Sequence, residues 1–406
     1  MYSIWIIAGR QFTENIFSLR LLIGLIVCFA LFVSSTYVLT EDYEKRLSIH
    51  NAAEIEHRNA LEAVKVYSHL KVDVTKPPEP LSVICLGMER QLGSYDSISG
   101  EAETGTLRLC LSNSLPRATL LFGKYIGTII SLLIPLIIGI CMNILVISLF
   151  GALPFESTYW LQIGGVILFS VLYISVFATL GLFISCLTRN SSVSLVLLLL
   201  VWVCFVVFIP RTGGLLASRL AALPDEKTIA RQADDTMHDI RKRYGEGRFS
   251  ARWSPGEPLT RSARIGDAKQ AIYNEYRQQQ LHQVKLAQNI SRVSPTAIYQ
   301  IGCEALVGTG IKHYERFFKK AAAYRRSLLQ FTYEEYPFNP NLFLEDAERQ
   351  QLTELKISLD KIPKFGDTLA NFSTSFAQAS LDILLLFLFN LVFFMGASLA
   401  FTRYDL

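Results

Sequence analysis

The sequence predicts an all-α protein, a polytopic bundle of membrane-spanning helices into which a helical domain outside the membrane is inserted. Three observations carry that prediction. Of the 406 residues 51% are hydrophobic and only 18% charged, with a mean hydropathy of +0.31, whereas a soluble chain runs at about 25% charged. The charges are unevenly placed: between 124 and 212 only Lys124, Glu156, Arg189 and Arg211 occur. The stretch 213–375, by contrast, carries more than half of the charged residues. Its runs of Arg, Lys, Gln, Glu and Ala, with few alternating β-branched stretches, have the composition of helices. A wholly soluble enzyme is excluded on these grounds. So is a disordered chain, which needs low hydrophobicity and a large net charge; here the net charge is +4. The mild basic excess sits beside apolar spans, where it reads as topology. No nucleic-acid motif is present, and no nucleic-acid partner is expected.

A bilayer core about 30 Å thick asks for roughly 20 apolar residues in a helix, and five segments meet it. Residues 1–40 hold an N-terminal segment and the first span, Leu21–Leu39, flanked by Arg10 and Arg20 before and Glu41-Asp42 after. It is too long for a signal peptide and no small-residue cleavage site closes it, so it reads as an anchor that stays. Residues 41–93 form a polar segment, helical over 41–71 and ended by Pro77, Pro78 and Pro80. After 94–124 come three spans within 125–212: Tyr125–Phe150, Leu161–Leu187 and Ser192–Ile209. The link through Glu156 is short, and the turn Thr188-Arg189-Asn190-Ser191 is shorter, so neighbouring spans are antiparallel hairpins. Tyr159 and Trp160 suit an interfacial belt. Within 213–375 the expected helices are Asp225–Tyr244, Arg261–Arg292, Pro295–Leu306 with Ser294 as N-cap, and Lys312–Tyr336. Residues 376–406 supply the last span, Leu381–Phe401, and a short tail.

Cys28, Cys141, Cys186 and Cys204 lie in apolar runs and read as small hydrophobes. Cys85 and Cys303 lie in polar segments, either as free thiols or as a disulfide in an oxidising compartment. Among polar residues in the spans, Asp382 is the one acid, at the start of the last helix, where headgroup snorkelling or capping competes with a functional role. Asn143 and Asn390 can hydrogen-bond between helices, Pro135 can kink its span, and Gly123, Gly127 and Gly139 permit close packing. The bland alternative for all of these is helix packing.

The most informative stretch runs from Ser94-Tyr95-Asp96 through Gly100-Glu101-Ala102-Glu103-Thr104-Gly105-Thr106-Leu107-Arg108-Leu109 and Leu111-Ser112 to Pro116-Arg117, then Gly123-Lys124-Tyr125-Ile126-Gly127. Physically it is a short amphipathic helix with acids at its start, suited to the helix dipole, then a turn that opens a span. It also closely resembles the GE-x-E-x-GTL-R-L-x-LS-x-x-x-x-R … GKY-x-G pattern of ABC-2 type transporter permeases. Within them it is most similar to the branch related to the NosY and GldF permeases that carries a large extracytoplasmic insertion. The resemblance continues in Ser294-Pro295-Thr296, in Gly308-Thr309-Gly310 and in Phe401-Thr402-Arg403-Tyr404-Asp405. It implies that the helix after Gly100 is a cytoplasmic coupling helix, with Glu101, Glu103, Thr106, Leu107, Arg108 and Arg117 as contacts to a separate ATPase subunit. It also implies a second permease subunit, identical or similar.

One departure bears on topology. The family carries a transmembrane helix just before the Tyr-Asp … Gly-Glu block, whereas here Leu92-Gly93 runs straight into Ser94 and the nearest apolar run, Leu81–Met88, is too short to span. With five spans and a cytoplasmic N-terminus, the coupling segment falls outside and 213–375 inside. Restoring one span near 92–94 places Arg108, Arg117, Lys124, Arg189 and Arg403 in the cytoplasm, and 41–93 and 213–375 outside, as the positive-inside rule prefers. The expectation is that this chain lacks a segment that includes the second span.

ATP hydrolysis needs GxxxxGK[ST], which does not occur; Gly123-Lys124 is followed by Tyr125, and position 118 is Ala. No cofactor is expected in the chain, with ATP bound by the partner subunit. The six histidines have no ligand spacing and no GxSxG elbow is present, so neither a metal site nor a catalytic residue is expected. The reading is a non-catalytic permease subunit of an exporter in a bacterial inner membrane, in contact with lipid, its large domain facing the periplasm or outside and open to an envelope partner. The alternatives are a non-transporting machine of the same build that exerts force on envelope proteins, and a membrane sensor or scaffold. A sensor needs a cytoplasmic output domain, for which the flanks of the first and last spans leave little room.

Overall fold

The computed structural model describes residues 2–63, 77–78, 80–83, 117–149, 157–188, 190–243, 260–335, 361–366 and 371–402. These residues form helices and the turns between them, with no strand among the described residues, as the all-α reading expects. The chain opens with α1 (Tyr2–Ile16) and the long α2 (Leu19–Ala63). Next come α3 (Arg117–Leu149), α4 (Ser157–Leu187), α5 (Ser191–Val203), a π-helical turn (Cys204–Phe208) and α6 (Ile209–Leu220). The charged region gives α7 (Glu226–Arg243), α8 (Thr260–Ser291), α9 (Pro295–Val307) and α10 (Ile311–Glu335), and α11 (Phe372–Thr402) closes the fold. Among the described residues five helices are long and apolar enough to cross a membrane: Leu25–Glu62, Thr119–Met142, Tyr159–Leu187, Ser191–Leu220 and Phe372–Thr402.

The bundle is organised around α4. Its sequence is apolar on all sides, the pattern of a helix enclosed by others, and most of it is buried. Residues 165, 175 and 183 of α4 meet 372, 390 and 396 of α11 in that order, so the two run parallel. Tyr125, near the start of α3, meets Ser175, and Leu120 and Leu121 cluster with Leu182 and Cys186, so α3 runs the opposite way. The start of α3 and the ends of α4 and α11 therefore share one end of the bundle, called the inner end. The starts of α4 and α11 define the outer end.

Helix α1 packs along α3 through a pair of glycines four residues apart. A Cβ at Gly123 would lie 2.7 Å from Ile7 Cγ2, and one at Gly127 would lie 2.7 Å from the Ala8 carbonyl oxygen. This is the close approach that small residues permit between membrane helices. Asn15 then donates to Ser131 Oγ at 3.2 Å. Further along α3, Gly139 faces the Phe32 ring of α2, so α1, α2 and α3 all advance from the inner toward the outer end. Two consecutive spans among the described residues thus run the same way.

At the outer end α2 extends past the bilayer; 45 residues at 1.5 Å each exceed a 30 Å core about twofold. Tyr43 and Leu81 are buried there, and Arg46 donates to Ser82. The helix from α5 to α6 is unbroken but widens over Cys204–Phe208. Pro210 supplies the reason: it has no N–H, and its ring crowds the carbonyl of residue 206 in an α-turn. Helix α6 packs on α8, with Gly213 against Ser291 and Ala217 fully buried, and Gln283 donates to the last-turn carbonyl of Ala221 at 2.8 Å. Helix α7 carries Glu226 in its first turn and Arg241, Lys242 and Arg243 in its last, each favoured by the helix dipole. Helix α10 packs Phe317 and Tyr324 on Phe365.

Candidate functional site

Two polar constellations join α4 and α11 to their neighbours. The first is mid-bundle. Ser175 of α4 donates to Asn390 Oδ1 at 2.6 Å, and Tyr125 of α3 donates in turn to Ser175 at 2.6 Å. The Asn390 amide donates to the Leu172 carbonyl at 3.2 Å, and Thr179 lies 3.3 Å from Asn390 Oδ1. One amide therefore ties α3, α4 and α11 together, and Phe394 adds an edge contact to the Tyr125 ring at 5.7 Å. Tyr125 belongs to the Gly-Lys-Tyr motif and sits eight residues beyond Arg117. Its neighbour Lys124 is 2% exposed at the inner end, where Leu120, Leu121, Leu182, Cys186, Ala397 and Phe401 cluster.

The second constellation is at the outer end and centres on α9. Although it lies within the charged stretch 213–375, α9 is apolar and packs mainly on α11 and α4, with small contacts to α8 and α10. It reaches along α4 from Gly165, beside Leu306, to Tyr173, whose hydroxyl lies 3.1 Å from Thr296 Oγ1. Those positions fall inside the span Tyr159–Leu187, so α9 re-enters the membrane depth with its N-terminus foremost. Re-entrant backbone is tolerated there only when protein encloses it and its polar groups are satisfied. Ser294 does this at the N-cap: its hydroxyl accepts from the Thr296 and Ala297 N–H groups and donates to the Phe205 carbonyl, in the π-turn of the neighbouring span. At the other end Gly308 takes the left-handed conformation (φ 85°), and the N–H groups of Thr309 and Gly310 both reach the Glu304 carbonyl at 2.9 Å.

Aromatic and charged contacts seat the helix. Tyr299 stacks on Tyr173 at 4.4 Å and on Phe169 at 5.5 Å, while its hydroxyl meets Ser170 at 2.7 Å. Gly302 lies so close to α4 that a Cβ would come within 2.4 Å of the Phe169 ring and 3.3 Å of Asp382 Cβ. Just before α9, Arg292 donates to both oxygens of Asp382, Nε at 2.7 Å and Nη2 at 3.2 Å, and Nη1 donates to Asn289 at 2.6 Å. The Asp382 side chain is 1% exposed and that of Arg292 21%.

The positions singled out in the sequence fall in three groups. Asp382 and Asn390 lie on the buried face of α11 and make the contacts above. Helix α11 starts nine residues before the expected Leu381, so Asp382 lies ten residues inside it, and its carboxylate is held by Arg292 and does not snorkel to headgroups or cap a helix end. Pro135 lies within α3, half-buried, and Asn143 and Arg117 are placed on α3 by backbone position. Glu101, Glu103, Thr106, Leu107 and Arg108 lie outside the described residues. Cys303, expected in a polar segment, is a free thiol buried in the α9 seat; Cys85 lies outside the described residues. Tyr159 packs in the core, while Trp160 stays half-exposed. Sequence reasoning missed α1 and the docking of α9. The apolar run Pro295–Val307, charged only at Glu304, was the available signal for the second.

The family model described as ABC-2 family transporter protein matches residues 5–406, nearly the whole chain. The chain belongs to that family. No curated protein matches it. For a member of the ABC-2 transporter family, the five apolar helices are those of a multi-pass membrane subunit, and membership implies an ABC ATPase partner and a paired permease. Among the described residues no group of His, Cys, Asp or Glu is arranged to hold a metal ion.

Proposed function

We propose that this chain is the permease subunit of an ATP-binding-cassette exporter of the NosY/GldF-like branch, driven by a separate ATP-binding subunit through the segment 101–117. In this reading ATP is bound by the partner, and Glu101, Glu103, Thr106, Leu107, Arg108 and Arg117 form the contact surface. The observation that carries the reading is Tyr125. The motif that resembles the coupling region ends in a side chain that hydrogen-bonds into both α4 and α11, so a push on Arg117 reaches the centre of the bundle along one rigid helix. The inner end, with Lys124, is then cytoplasmic, and α7, α8 and α10 face the periplasm of a bacterial inner membrane. The parallel course of α2 and α3 supports the further reading that a span is lacking from this chain, because the sequence 84–116 between them holds no apolar run of spanning length.

A second reading, force transmission to an envelope protein without transport, is favoured by the tight seat of α9, which links the outer helices to α4 and α11 directly. The test of the driven-subunit reading is purification of C-terminally tagged protein from its native membrane. An ABC ATPase that accompanies the wild type and is lost in Glu101→Arg/Leu107→Asp is the expected result; no ATPase in either sample would sink it. Export activity in the intact complex separates transport from force transmission.

A further inference from the structure

We infer that the Arg292–Asp382 pair is a releasable latch that holds the re-entrant helix α9 in its seat, so that α9 can leave without the bundle opening. Four observations support this. The pair joins the turn before α9 to α11 and bridges 90 residues of sequence, so it forms only when α9 is seated. Its geometry is bidentate, and the Asn289 oxygen orients the guanidinium from the last turn of α8, the fork that makes such pairs directional. Asp382 is flanked on its face of α11 by Ala379 and Leu386, both fully buried and apolar, so the carboxylate depends on Arg292 for its compensation. A buried ion pair carries a desolvation cost that offsets much of its Coulombic gain. The Arg292 side chain is 21% exposed, so the pair has one open side from which it can separate.

The seat itself is separable from its surroundings. Helix α9 is short, bounded by the tight Arg292–Ser294 turn and by the left-handed Gly308, and it contacts α8 and α10 little. Its hold on α4 combines a stack of Tyr299 on Tyr173 and two hydroxyl pairs with the buried side chains of Ile298, Leu306 and Val307. The part this motion would play in transport rests on the proposed permease reading. The latch itself does not, and it can be tested without any ATPase.

The chain supplies its own reporters. Cys303, in α9, is 2% exposed, and Cys186, at the inner end, is 3% exposed. In the full-length protein in lipid nanodiscs, N-ethylmaleimide labelling of each cysteine is followed by peptide mass spectrometry. The wild type should label slowly at both. Asp382→Asn, which keeps the shape and removes the charge, should label Cys303 about tenfold faster or more, with Cys186 unchanged, as for a local opening. Arg292→Met/Asp382→Leu, which removes both charges, should protect Cys303 at least as well as the wild type. Protection of Cys303 in Asp382→Asn would overturn the latch. So would parallel exposure of Cys186, which would make the pair a support of the whole bundle, or fast labelling of the double variant, which would assign the effect to lost packing.

Discussion

At the inner end, α1, α3, α4 and α11 meet through Ile7, Leu120, Leu182, Ala397 and Phe401, and the close approaches are made by Gly123 and Gly127 against aliphatic and backbone atoms and by Gly396 against the Phe183 ring. At the outer end the same α4 and α11 meet α9 through an aliphatic core with Ile298, Leu306 and Val307, to which an ion pair, stacked tyrosines and hydroxyl contacts are added. Aliphatic packing is non-directional and lets one helix rotate or slide on another at small cost. Charged and hydroxyl contacts are directional and are either made or lost. The inner end is thus suited to passing on a continuous motion, and the outer end to holding one discrete arrangement.

Substitutions can break that contrast in graded ways. The largest effect is expected from Asp382→Ala, which leaves the largely buried Arg292 charge without its carboxylate partner. Removal of one member of a buried pair costs about 3 kcal/mol or more, and a fall in the unfolding midpoint of nanodisc-embedded protein would register it. Gly302→Leu should cost about 2 kcal/mol through overpacking against Phe169; the comparison is Gly164→Ala, where nothing lies within 4 Å of the new Cβ and the midpoint should not move. Asn390→Leu removes the bonds to Ser175 and Leu172 and should cost about 1 kcal/mol, the scale of single polar contacts between membrane helices. A loss as large as that of Asp382→Ala would move the directional centre from the outer end to mid-bundle. The smallest effect is alkaline. Burial raises the Tyr324 phenol above its usual range, so its contribution is fully present below the unfolded value of about 10 and is lost as pH rises through the raised folded value. Tyr324→Phe should therefore flatten the alkaline limb of a stability profile and leave neutral stability nearly unchanged.

Much of this architecture is legible in the chain. The apolar runs match the spans, and the expected Asp225–Tyr244, Arg261–Arg292, Pro295–Leu306 and Lys312–Tyr336 differ from the observed helices by at most one residue at each end, because Ser294, Gly308 and the breaks in charge pattern mark them locally. Asn390 reads as a polar group available for bonding between helices for the same reason: one amide in an apolar run needs partners. The outer joint is not legible, since Arg292 and Asp382 are 90 residues apart and neither carries a local signature of the other. The seat at Gly302 likewise depends on a tertiary contact with Phe169. Composition alone also misleads for α9, whose apolar run is diluted by the charged helices on both sides.

The claim that the outer end is a directional joint is tested most directly by a double-mutant cycle on Arg292→Ala and Asp382→Ala, with unfolding free energies measured in nanodiscs. A joint made by the pair predicts that the double variant loses less than the two single losses together, by about 1 to 3 kcal/mol. Single losses that add to within about 0.5 kcal/mol would contradict it, and would leave the outer end held by packing, as the inner end is.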